Sequence, residues 1–155
     1  MDDIEAIRRL KARYCRLLDT KDWDGYRQLS TDDVTMDTTA SGGGVVTGAD
    51  EFLAFLVDVL AGVVTVHQCH TPEIDLTSPT EATGIWAMED VVRFADGTEL
   101  HGFGHYHETY RKDVDTDAVD GDSGWRIASS TLTRLRMDIT PATPESPAAR
   151  HPEDG

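Results

Sequence analysis

From Val63 to Met137 the chain is built almost entirely from four long strand-like segments, TVHQCHTPEIDL, EATGIWAMEDVVRF, ELHGFGHYHETYRK and GWRIASSTLTRLRM. Only SPT, ADG and an acidic loop from Asp113 to Gly124 separate them. SPT and ADG are too short to carry a crossover, and the segments are expected to pair as an antiparallel meander that must bury one face. The material to cover that face precedes it. From Asp3 to Leu18 the residues Ile4, Ile7, Leu10, Lys11, Tyr14, Leu17 and Leu18 recur at intervals of three and four, which predicts an amphipathic helix with Tyr14 on its inward stripe. A short second helix is expected from about Asp22, capped by Asp22 or Thr20, with Trp23, Tyr26 and Leu29 at helical spacing. Asp33 to Thr39 and Val45 to Thr47 read as a hairpin around Gly42 to Gly44. Gly48-Ala49-Asp50 then opens an apolar, well-buried third helix, EFLAFLVDVLAG, closed at Gly62. Helices first and strands afterwards make an α+β domain: a curved antiparallel sheet whose one face is covered by three N-terminal helices, with a cavity between.

At 155 residues the chain fits one domain, expected over residues 1–138. Residues 139–155 hold four of the six prolines and few apolar groups, and read as a disordered tail. No apolar run is long enough to span a membrane. The start, MDDIEAIRRLKARY, lacks the basic and apolar blocks of a secretory signal, so a cytoplasmic location is expected. The two cysteines, Cys15 and Cys69, indicate no disulfide framework. With 29 acidic against 14 basic residues, the net charge of −15 repels phosphate backbones and anionic lipid, so neither nucleic acid nor membrane is expected as a partner.

Candidate site residues follow from strand parity. In Glu81 to Phe94 the even set is Ala82, Gly84, Trp86, Met88, Asp90 and Val92, an apolar row broken by one carboxylate. Asp90 is either a strand-end charge turned to water or a functional carboxylate. Arg134, which shares parity with Leu132 and Ser130, is a surface arginine, the cation that keeps an inward Asp90 ionised, or a ligand for a substrate oxygen. His67 and His70 are three apart, so a regular pleat sends them to opposite faces and only one can enter a given pocket. A histidine beside a carboxylate suits proton removal and return at neutral pH. Tyr14 is a core aromatic or a hydrogen-bond donor to a bound carbonyl or hydroxyl.

His101, His105 and His107 share one strand face, but no spacing of histidine and cysteine resembles a structural zinc set, and no metal is expected. The chain has no G-x-S-x-G, P-loop or dinucleotide fingerprint, and the Gly42 to Gly44 run does not open a helix as such loops require. Chemistry without a cofactor is the expectation.

The segments DIEAIRRLKARYCRLLD, HTPEIDL, ATGIWAMED, GHYHETYRK and GWRI, in that order from Asp3 to about Met137, resemble the SnoaL-like branch of the nuclear transport factor two-like superfamily. Within it they are similar to bacterial bile-acid 7α-dehydratases and, more distantly, to scytalone dehydratase. The resemblance implies a cone-shaped α+β barrel, a homodimer or homotrimer, and a deep apolar pocket for a small hydrophobic substrate. It places a catalytic tyrosine at Tyr14, its acidic partner at Asp19, a histidine at His67, an aspartate at Asp90 and an arginine at Arg134. It thereby favours His67 over His70.

What the resemblance implies chemically is elimination of water from a hydroxylated, carbonyl-bearing polycyclic substrate such as a steroid or polyketide. His67 is then the base, Asp90 orients the resulting imidazolium, Tyr14 hydrogen-bonds the enolate or departing hydroxyl, and Asp19 and Arg134 position polar groups. Phe52, Phe55, Trp86 and Met88, with His105, are expected to line the substrate and keep out water. A polyketide cyclase or ketosteroid-type isomerase needs the same base without a leaving hydroxyl, and a carrier of hydrophobic ligands needs no base at all.

Overall fold

A computed structural model describes residues 1–114 and 122–143. The helix α1, Asp3–Asp19, starts where the side chain of Asp2 accepts a hydrogen bond from the Glu5 amide at 2.8 Å, with Asp3 and Glu5 in its positive first turn. Its stripe of Ile7, Leu10, Tyr14, Leu17 and Leu18 is buried. Lys21, with φ of 55°, turns the chain into α2, Trp23–Arg27, which Asp22 caps by accepting from the Gly25 amide at 3.0 Å. Thr20 instead closes α1, its hydroxyl donating to the Arg16 carbonyl. The strands β1, Ser30–Asp37, and β2, Val45–Thr47, form the expected hairpin around a 3₁₀ turn at Thr39–Ser41.

The helix α3, Ala49–Val59, buries Ala49, Phe52 and Leu56 but leaves Val57 and Val59 exposed. It is thus covered on one side only, because residues one or two apart on a helix point in different directions. No helix among the described residues is long and apolar enough to cross a membrane.

The remaining strands are β3, Val64–Ser78, β4, Glu81–Arg93, β5, Glu99–Lys112, and β6, Trp125–Thr140. They form the antiparallel meander, in a six-stranded sheet of order β2-β1-β6-β5-β4-β3. One expectation is corrected here: the sheet is mixed, since β1 runs parallel to β6. More than half the chain intervenes between these two strands, so no short turn dictates their direction. The sheet body also reaches Thr140, past the expected domain end, while residues 144–155 of the expected tail lie outside the described residues.

The face toward the helices carries Ala82, Trp86, Met88 and Asp90 of β4, Tyr106, Glu108 and Tyr110 of β5, and Trp125, Ile127, Ser130 and Leu132 of β6, all buried. Bulges between His70 and Glu73 on β3, and at Leu135 on β6 where Phe103 pairs with Arg136 and Gly104 with Arg134, bend this sheet around α1. The residues aligned on β3 and β4 make His67 the direct partner of Asp90.

Candidate active site

β3 is the last strand of the sheet, so the N–H groups along its outer edge have no strand to pair with. Asp19, at the end of α1, takes up one of them: its Oδ2 accepts from the backbone amide of His67 at 2.7 Å. Its Oδ1 lies 2.7 Å from Nδ1 of the same histidine and accepts from the Thr65 hydroxyl at 2.9 Å. A carboxylate accepts and cannot donate, so Nδ1 carries a ring proton, and in the neutral form of the imidazole Nε2 keeps its lone pair. Among the described residues Nε2 has no hydrogen-bond partner. The His67 side chain is 10% exposed and that of Asp19 21%, enough to hold the pair in a largely desolvated setting.

Asp90, expected to orient His67, is engaged elsewhere. Arg134 grips it in a bidentate pair, Nη1 to Oδ1 at 2.6 Å and Nη2 to Oδ2 at 2.9 Å, with the two side chains only 9% and 5% exposed. Orientation of the imidazole therefore passes to Asp19. Arg134 also donates from Nε to the Ser41 hydroxyl at 3.0 Å and approaches Met88 Sδ at 3.6 Å, tying the 3₁₀ turn to the sheet. The pair occupies space that only glycine can leave: a Cβ on Gly102 would fall 2.3 Å from Arg134 Nη1 and 2.4 Å from Asp90 Oδ1.

Tyr14 sits on the buried stripe of α1, its ring 5.4 Å from that of Tyr26 and 5.8 Å from that of Tyr106. Burial pushes its phenol well above the ordinary tyrosine range, so it is a neutral hydrogen-bond donor. Beneath it lies a network that the sequence reading missed. Lys11 Nζ contacts Glu108 Oε1 at 2.5 Å and stands 3.9 Å and 3.7 Å from the ring centres of Tyr14 and Tyr106. Ser130 donates to Glu108 Oε1 at 3.0 Å, Tyr110 to Oε2 at 2.5 Å, and the Trp86 indole to the Tyr110 hydroxyl at 2.8 Å. The signal was available: Lys11 falls on the inward stripe of α1, and Glu108 shares parity with Tyr106 and Tyr110.

The expected substrate-lining residues separate. Trp86 helps wall a groove of about 630 Å³ between α1 and β3, whose other walls include Lys11, Cys15, His67, Cys69 and Pro72. Phe52 and Phe55 stack on each other at 5.9 Å, and Met88 lies against Arg134. His105 is corrected: it points away from the helices with His107, their rings 6.4 Å apart, because Gly102, Gly104, Tyr106 and Glu108 occupy the inner parity of β5. His101 shares that outer face and lies 2.6 Å from Glu89. Among the described residues no three histidine, cysteine or acidic side chains gather as a metal site would require.

The family model of a SnoaL-like domain matches residues 1–131. A "probable cyclase" of Gibberella zeae is 30% identical over 145 residues, covering 83% of this chain and 89% of its own. Among solved structures, a scytalone dehydratase candidate from Novosphingobium aromaticivorans superposes with a TM-score of 0.75 at 22% identity, covering 96% of this chain and 95% of its own. A hexachlorocyclohexane dehydrochlorinase from Novosphingobium barchaimii does so with a TM-score of 0.72 at 14% identity, covering 88% of each. At those identities the two structures speak for the fold.

Proposed function

The chain belongs to the SnoaL-like domain family, and from that premise we propose that it is a cofactor-free enzyme that begins catalysis by removing a proton with His67. The observation that carries this reading is the Asp19–His67 contact at 2.7 Å, which makes Nδ1 the donor and leaves Nε2 without a protein partner among the described residues. When Nε2 takes a proton, the carboxylate of Asp19 and the negative end of α1 both stabilise the imidazolium. The substrate class that fits is a hydroxylated, carbonyl-bearing polycyclic compound such as a steroid or polyketide. The carbonyl acidifies the neighbouring C–H bond, and as the enolate collapses to the alkene the C–O bond breaks and the hydroxyl leaves as water with the proton that His67 had taken.

Tyr14 and Arg134 are hydrogen-bond donors suited to the enolate oxygen or the departing hydroxyl. Tyr14 offers a neutral O–H, and Arg134 retains one Nη2–H beyond its bonds to Asp90. Asp90 holds the guanidinium in place. Trp86 and the groove wall leave the His67 side chain only 10% exposed, which strengthens the hydrogen bonds it makes.

A second reading has its own support: the fungal relative named as a cyclase is 30% identical over most of both chains. Cyclisation uses the same enolate, directed at a second carbonyl in place of a leaving hydroxyl. Product mass separates the two. The test is mass spectrometry of hydroxylated keto-steroids and aromatic polyketides incubated with the protein and with its His67→Ala variant. Loss of one water, abolished in the variant, supports the dehydratase. Unchanged mass with altered retention supports cyclase or isomerase chemistry. Ligands bound and returned unaltered by both proteins would overturn the enzymatic reading.

A further inference from the structure

The sulfurs of Cys15 and Cys69 lie 3.5 Å apart, joining α1 to β3 across a separation of 54 residues, and both are free thiols. Each is half-buried, and both line the open groove beside His67, so a small solute can reach them. Their position relative to the site is close in chain terms. Cys15 is one helical turn before Asp19, and Cys69 is two residues beyond His67 on the same face of β3. These are the only two cysteines in the chain, so neither has another internal partner.

We propose that Cys15 and Cys69 are a modification site, at which a peroxide forms an intramolecular disulfide that clamps α1 to β3 and displaces the Asp19–His67 pair beside it. A disulfide needs its sulfurs at about 2.05 Å, so they must close by roughly 1.5 Å, and the backbone carrying them has to follow. Asp19 and His67 ride on those same two elements. This inference stands apart from the proposed reaction, since it concerns the thiols and the geometry between α1 and β3.

The chemistry balances in two steps. The Cys15 thiolate attacks one peroxide oxygen: an S–O bond forms, the O–O bond breaks, and the departing oxygen leaves as water after protonation. The Cys69 sulfur then attacks the sulfenic sulfur, the S–S bond forms, and the hydroxyl leaves as a second water with the Cys69 proton. Two thiols are oxidised by two electrons and one peroxide is reduced. Cys15 suits the first role. The hydrogen bond it shares with Cys69 draws its thiol down to about 7 against the opposing effect of burial, with Lys11 and His67 adding to the fall. The same hydrogen bond, together with burial, pushes Cys69 up, which keeps it a thiol until the second step.

The test uses the full chain. The reduced protein, unfolded in denaturant, should show two titratable thiols. After hydrogen peroxide at micromolar to millimolar concentration it should show none, its intact mass should fall by about 2 Da, and a reductant should restore both. Proteolysis without reductant should give a peptide linking Cys15 to Cys69 from monomeric protein. The melting temperature should rise by roughly 5–10 °C on oxidation, and the amide resonance of His67, which reports its bond to Asp19, should move. Cys15→Ser should abolish both the mass loss and the rise in melting temperature. Oxygen addition without a crosslink, a disulfide between two chains, or a crosslink that leaves the His67 amide unmoved would each overturn the proposal.

Discussion

Asp19, the final residue of α1, accepts both N–H groups of His67, from the backbone at 2.7 Å and from the ring at 2.7 Å. A helix end and the unpaired edge of a sheet are thereby joined through one carboxylate, and the imidazole can neither rotate nor exchange its tautomer without breaking that junction. Asp19→Asn retains the size of the side chain but leaves one acceptor oxygen for three donors, since Thr65 donates there too. Turnover should fall about 10²- to 10⁴-fold, as expected when a base loses the group that orients it. Stability should fall by about 1–3 kcal/mol. Steady-state kinetics and denaturant unfolding read the two effects separately, and an unchanged rate would remove Asp19 from the mechanism.

Lys11 and Glu108 form a pair almost wholly removed from water, with side-chain exposures of 1% and 0%. Lys11→Met preserves the apolar stem yet strands the carboxylate among Tyr110 and Ser130, at a cost of about 3–5 kcal/mol. Adding Glu108→Gln removes the stranded charge and should recover a large part of that loss. Urea unfolding of the two single variants and the double variant measures this coupling. Strictly additive losses would mean that the contact contributes nothing as a pair.

Gly102 controls the seat of Asp90 and Arg134. In Gly102→Ala the new methyl group would contact both partners well inside van der Waals range, forcing the bidentate pair apart or the strand outward. A loss of about 1–3 kcal/mol is expected from this overpacking, with turnover falling as Arg134 moves. Gly44→Ala is the matched control, because a Cβ there meets nothing within 4 Å. Thermal unfolding and activity of the two variants should diverge; equal behaviour would show that Asp90 and Arg134 have room to spare.

Much of this architecture was legible in the chain because it rests on periodicity. The three- and four-residue spacing of Ile7, Leu10, Tyr14 and Leu17 defines α1, and the even row of Ala82, Trp86, Met88 and Asp90 is buried as its alternation requires. Other features depend on contacts that periodicity does not encode. Asp19 and Asp90 are both plausible partners for a histidine by type, and only the packing of α1 against β3 decides between them. The face of His105 was ambiguous for a similar reason. The inner parity of β5 contains Gly102, Gly104 and Glu108, which look no more like a core than the histidine row opposite. Gly102 makes room for Asp90 and Arg134, Gly104 for the backbone of Thr133 and Arg134, and Glu108 is paired with Lys11, none of which is local in sequence. The parallel pairing of β1 with β6 likewise has no short-range signature.

The most direct measurement is the tautomer of His67, read from the nitrogen shifts and couplings of its ring in ¹⁵N-labelled protein at alkaline pH, with Asp19→Asn as the comparison. The account predicts a single neutral form with the proton on Nδ1 and a bare Nε2, giving way to a mixture in the variant. A proton resident on Nε2 in the wild-type protein would contradict it, because the nitrogen proposed to accept the substrate proton would already be occupied.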